Sequence, residues 1–226
     1  MAFSFSFTGL SYLVGSILLV FLAIRFFRYW MEERSLAGRM LFFFVLFLLA
    51  FFASTAILAL FFAYNAFALR LAVITAVIFQ GISLSFLGYL LLRLKLPFVS
   101  PVMGPVCILL LSGASAILAI LLPYTSRFDA EGLVIQWDTP FAVSVPRALI
   151  FFLTFLPLSW VFFQEYRTTQ EPRAKERAFG LAVIMAIGFF VGSFDFVFEQ
   201  ILGLKEIVSD IALTATLVIL LLAVLL

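Results

Sequence analysis

The chain contains no histidine, and that absence removes several classes of chemistry. Imidazole-ligated haem, histidine-based zinc hydrolysis and Ser-His or Cys-His nucleophile pairs all need a side chain that is not there. Cysteine is nearly as scarce, with Cys107 alone among 226 residues. One thiol makes neither an intrachain disulfide nor a thiolate metal cage, so neither metal nor cofactor is expected. Charge is thin as well. Charged residues make up 12% of the chain and the net charge is +2, which leaves no broad basic surface for nucleic acid.

Apolar residues fill the chain instead. They make up 65% of it, 31 of them Phe, and the mean hydropathy is +1.25. Soluble domains are about half apolar. A spanning helix needs about 20 mostly apolar residues. Seven runs qualify: Thr8–Phe27, Met40–Tyr64, Phe67–Leu92, Pro101–Tyr124, Pro146–Tyr166, Ala178–Gln200 and Ile207–Leu226. The expected fold is an all-α integral membrane domain, residues 1–226 forming one seven-span bundle in the lipid bilayer. The N-terminal MAFSFSFTG has neither a basic n-region nor a small-residue cleavage site, so it is expected to be retained.

Loop charge orients these spans. Arg25, Arg28, Arg34, Arg39, Arg93, Lys95, Arg167, Arg173, Lys175 and Arg177 fall on one side, and Arg70, Arg127, Arg147 and Lys205 on the other. The positive-inside bias then places the N-terminus outside and the C-terminus in the cytoplasm. Residues 128–145, FDAEGLVIQWDTPFAVSV, interrupt the helical pattern with Gly132 and Pro140. The runs LVIQW and FAVSV, parted by Asp-Thr-Pro, suggest a small extracytoplasmic β-hairpin between helices 4 and 5, with an irregular loop as the alternative.

The polar residues inside the apolar runs are the site candidates. Asp195 and Glu199 lie four residues apart near the outer end of span six, sharing one helix face. A helix C-terminus disfavours their charge, so they need partners. Arg70 and Arg147, at the outer starts of spans three and five, are expected at the same depth. Asp210 lies in the first turn of span seven, where the helix dipole favours it. These charges suit either a salt-bridge ring locking helix ends or an outer vestibule that binds a ligand. An aspartyl protease built on Asp195 and Asp210 is disfavoured by their shallow depth.

Gln80, with Ser83 and Ser85 close behind, sits mid-way along span three and must find a hydrogen bond, either across helices or to a ligand. Pro157 should kink span five. Gly188 and Gly192 form a GxxxG that allows close helix approach. The Phe runs 42–44 and 51–52 are expected to face lipid. The last span has no Lys, which excludes a retinal Schiff base.

The short basic connection RFFRYWMEERSLAGR, the outer EGLVIQWDTPFAV leading into span five, the basic RTTQEPRAKERA, the GSFDFVF that closes span six and the turn ILGLKE run the length of the chain. In this pattern the sequence resembles the seven-helix membrane input region at the N-terminus of many bacterial and archaeal sensor histidine kinases. The resemblance implies a prokaryotic plasma membrane and a sensory, signal-input role without enzymatic activity. It also implies a cytoplasmic kinase-type output domain as partner, alongside a second copy of the chain as a homodimer. The last span carries no flanking charge, so the natural chain is expected to continue beyond Leu226. The alternatives are a small transporter or channel, and a structural subunit of a membrane complex.

Overall fold

A computed structural model describes residues 6–95, 98–131, 133–194, 208, 210–215 and 218. Its elements run α1 (Phe7–Glu33), α2 (Leu36–Phe61), α3 (Ala66–Lys95), α4 (Met103–Leu121), β1 (Arg127–Asp129), β2 (Val134–Gln136), α5 (Phe141–Thr168) and α6 (Pro172–Phe194). Helices α1 to α5 are each long and apolar enough to cross a membrane. Residues 210–215 are also helical. Asp195, Glu199 and most of the expected seventh span lie outside the described residues.

The helix starts follow local chemistry. Ser6 and Ser35 cap α1 and α2, each hydroxyl accepting from the N–H three residues on, at 3.1 Å. Asn65 Oδ1 accepts from Ala68 N at 3.1 Å and does the same for α3. Such caps satisfy N–H groups that a helix leaves orphaned, a heavier need where water is scarce.

Each helix packs on its neighbours in sequence, and α3 also touches α5. One serine hydroxyl stitches each pair from α2 to α6. Ser83 Oγ donates to Phe44 O (2.7 Å), Ser112 to Val77 O (2.8 Å), Ser115 to Val143 O (2.8 Å) and Ser159 to Ala182 O (2.9 Å). Lipid tails give helices no hydrophobic reason to associate, so small residues and hydroxyl bonds carry the packing. Gly188 and Gly192 act in this way: their bare Cα positions receive the rings of Phe155 and Phe151 from α5. Those two rings stack on each other at 5.6 Å.

The hairpin differs from the expected one. The strands pair antiparallel as Arg127↔Gln136, Phe128↔Ile135 and Asp129↔Val134, so LVIQW contributes the second strand and not the first. FAVSV opens α5. Pro140, extended at ψ 144°, precedes that helix, and its carbonyl accepts from Val143 N and Ser144 N. Burying Val143 completely against α4 outweighs the β-preference of its side chain. Helix α5 also continues through Pro157.

The hairpin caps the end of the bundle where α1 begins. Phe7 N donates to Leu133 O at 2.7 Å. Ile135, fully buried, packs on Ala59, Ala63 and Leu69 at the turn between α2 and α3.

Candidate functional site

Gln80 and Arg147 meet. Arg147 Nε donates to Gln80 Oε1 at 3.2 Å. Gln80 is only 7% exposed and lies at the middle of α3, facing into the bundle. Because α5 begins at Phe141, Arg147 falls in its second turn and its guanidinium reaches that depth. A charge here is costly unless paired, and a hydrogen bond to a charged group contributes about 1.5–3 kcal/mol.

Arg70 does something different. It bonds the last carbonyls of α4: Nε to Ala119 O (3.3 Å), and Nη2 to Leu122 O (3.1 Å) and to Ile120 O. Those carbonyls have no intrahelical partner, and a cation there also suits the helix dipole. The same guanidinium lies 5.2 Å from the centre of the Tyr124 ring. Loss of solvent pushes the Tyr124 phenol up from its ordinary value, while the positive charges of Arg70 and then Arg147 pull against that rise.

Asp210 is 4% exposed. Its Oδ2 accepts from Thr8 Oγ1 at 2.7 Å, and Thr8 Oγ1 in turn accepts from Ile135 N at 3.0 Å. One hydroxyl therefore joins the start of α1, strand β2 and the helical residues 210–215.

Arg147 borders two neighbouring spaces. The larger, about 120 Å³, is lined by Leu19, Leu22, Phe44, Val45, Phe155, Met185 and Leu213, with Tyr12, Gln80 and Arg147 as its polar members. The smaller, about 30 Å³, leads towards the hairpin past Thr55, Trp137 and Thr139. Tyr12, Phe51 and Arg147 line both. Phe51 and Phe52 are buried, 7% and 3% exposed, and pack on Tyr12 at 5.7 and 5.2 Å, so this Phe run faces the core rather than lipid. Phe44 joins them on the cavity wall. Thr55 is 2% exposed, and its Oγ1 has no hydrogen-bond partner among the described residues.

Of the sequence candidates, Gln80 and Arg147 come together at this cavity, Asp210 reaches it indirectly through Leu213 on its own helix, and Arg70 caps α4. The sequence pattern did not point to Thr8, Tyr12 or Thr55. Each lies beside or near a serine in an apolar run, and only packing distinguishes it from the serines and threonines that bond their own helix.

These features fit a helical membrane protein with an internal, aromatic-walled cavity in which Arg147 is the one cation among the described lining residues. No protein-family model matches the chain, and no curated protein matches it.

Proposed function

We infer that the chain is a seven-helix sensory input module of a prokaryotic plasma membrane, with its N-terminus and hairpin outside and its C-terminus in the cytoplasm. It performs no catalysis itself. Signals at the outer face or in the cavity act on the last helix, which passes a change in packing to a cytoplasmic output domain or partner.

One observation carries this reading. The helix containing Asp210 and Leu213 is in contact with both input surfaces: Asp210 bonds Thr8 beneath the hairpin, and Leu213, a turn further on, lines the cavity. A ligand shifts a conformational equilibrium only through contacts that differ between states, and this helix has contacts of both kinds. The cavity's polar groups gather at the hairpin end, an arrangement that suits binding better than a through-path. The ten-to-four asymmetry of basic residues supports the orientation.

Fusing the chain at Leu226 to a reporter kinase tests the role. Asp210→Asn should change basal output while membrane insertion is retained. Unchanged output in Asp210→Asn and Thr8→Val together would favour a structural subunit. Orientation is read separately, on a Cys107→Ala background. Cysteine at exposed position 131 should react with an impermeant reagent in intact cells, and cysteine at exposed position 170 should not. The opposite pattern would invert the topology.

A further inference from the structure

We propose that the smaller chamber is a buried-water site, holding about two ordered waters that join the Thr55 hydroxyl on α2 to Thr139 and Arg147 on either side of the start of α5. The site goes beyond the sensory reading and does not rest on it.

Thr55 carries the argument. It is 2% exposed, it lines the chamber, and its Oγ1 has no hydrogen-bond partner among the described residues. A threonine in an apolar helix ordinarily bonds the carbonyl four residues back. For Thr55 that carbonyl is Phe51 O, which already accepts from Ser54 Oγ at 2.9 Å. Stranding a buried hydroxyl is unfavourable, so this one calls for a partner from outside its own helix.

Size and polarity select water. A buried water needs about 10–15 Å³ of space and two to four polar partners. The chamber, about 30 Å³, has room for about two and for no larger ligand. Besides Thr55, its polar lining is Tyr12, Thr139 and Arg147. Groups already bonded elsewhere can still meet a water. Thr139 shares a hydrogen bond with Ser144, 3.3 Å away, but a hydroxyl has one donor and two acceptor sites. Arg147 uses Nε for Gln80, and a guanidinium has five N–H groups. Water both donates and accepts, so it suits this mixture whatever the sign of the groups around it. Water beside Arg147 also lowers the cost of a guanidinium inside the bundle.

The test is X-ray radiolytic footprinting of the full chain in nanodiscs, where a bound water releases hydroxyl radicals onto the side chains beside it. Phe51 and Phe155 are equally reactive and similarly buried, 7% and 5% exposed, but only Phe51 lines the small chamber. Phe51 should be oxidised several-fold faster than Phe155. Thr55→Val should bring the two rates together, and Thr55→Ser should keep them apart. Thr55→Val should also lower the unfolding midpoint by about 2–4 °C, because a bonded hydroxyl is lost. Thr154 is the control: its Oγ1 is as buried and has no partner among the described residues, yet it lines neither space. Thr154→Val should leave the midpoint unchanged or raise it. If Thr55→Val does not fold, the ratio of the two rates in the parent protein decides. Equal rates in the parent would overturn the proposal. So would a Thr55→Val protein whose rates stay apart, or whose midpoint is unchanged or raised, since the hydroxyl would then have no water to hold.

Discussion

Thr8 donates to Asp210 across 202 positions of sequence, at 2.7 Å, in a place both side chains share with the hairpin. The bond is buried, and Thr8 is also the acceptor for Ile135 N–H. Thr8→Val keeps the shape but removes both functions of the hydroxyl. It should lower stability by about 1–3 kcal/mol, with Thr8→Ser close to the parent protein. Thermal unfolding in detergent reads this directly. Equal stability of the valine and parent proteins would show that the hydroxyl adds nothing.

The contact between α5 and α6 depends on two missing side chains. A Cβ on Gly188 or Gly192 would enter the ring of Phe155 or Phe151. Gly192→Leu should therefore cost about 1–3 kcal/mol through overpacking. Pairing it with Phe151→Ala should recover part of the loss. An additive double variant would mean that the two positions do not touch.

Arg70 closes the end of α4 through three carbonyls. Arg70→Ala should destabilise by about 1–3 kcal/mol. Arg70→Lys should recover only part of this, because an ammonium cannot reproduce the planar fork. Hydrogen exchange at residues 119–122 localises the effect, which should be confined to that end of the bundle. Full rescue by lysine would reduce the role of Arg70 to its charge.

Tyr124, beyond the end of α4, links this cap to pH. Burial raises its pKa above the ordinary 10.0, chiefly by desolvation, so the folded state holds the phenolic proton more tightly than the unfolded chain does. The associated stability is fully present below pH 10 and is lost as pH rises through the folded value. Ultraviolet titration should show one tyrosine ionising late, and Tyr124→Phe should remove that late transition. The parent and Tyr124→Phe proteins losing stability identically above pH 10 would contradict it.

The apolar runs made the first five helices legible, because length and hydropathy alone determine whether a segment can span lipid. Their partners were harder to read. Arg70 and Arg147 look alike in sequence, each near the start of an apolar run, yet one caps α4 and the other reaches Gln80. The difference arises because α5 starts at Phe141, five residues before the expected boundary. FAVSV has a strand's composition, and burial of Val143 between helices made it helical. Phe51 and Phe52 face the core because Tyr12, on another helix, is there to meet them. Gln80 was recognisable as a residue in need of a bond, since an amide at mid-depth has few ways to be satisfied. Thr55 was not, because a threonine in an apolar helix normally bonds its own backbone.

The central claim is that the last helix must move relative to the hairpin for a signal to pass. Joining the two halves of the Thr8–Asp210 contact covalently tests it most directly. Thr8→Cys with Asp210→Cys, on a Cys107→Ala background fused to a reporter kinase, can be compared before and after oxidation. The account predicts that oxidation moves the reporter to one fixed output and that reduction restores the starting value. An oxidised, fully cross-linked protein with the same output as the reduced one would contradict it.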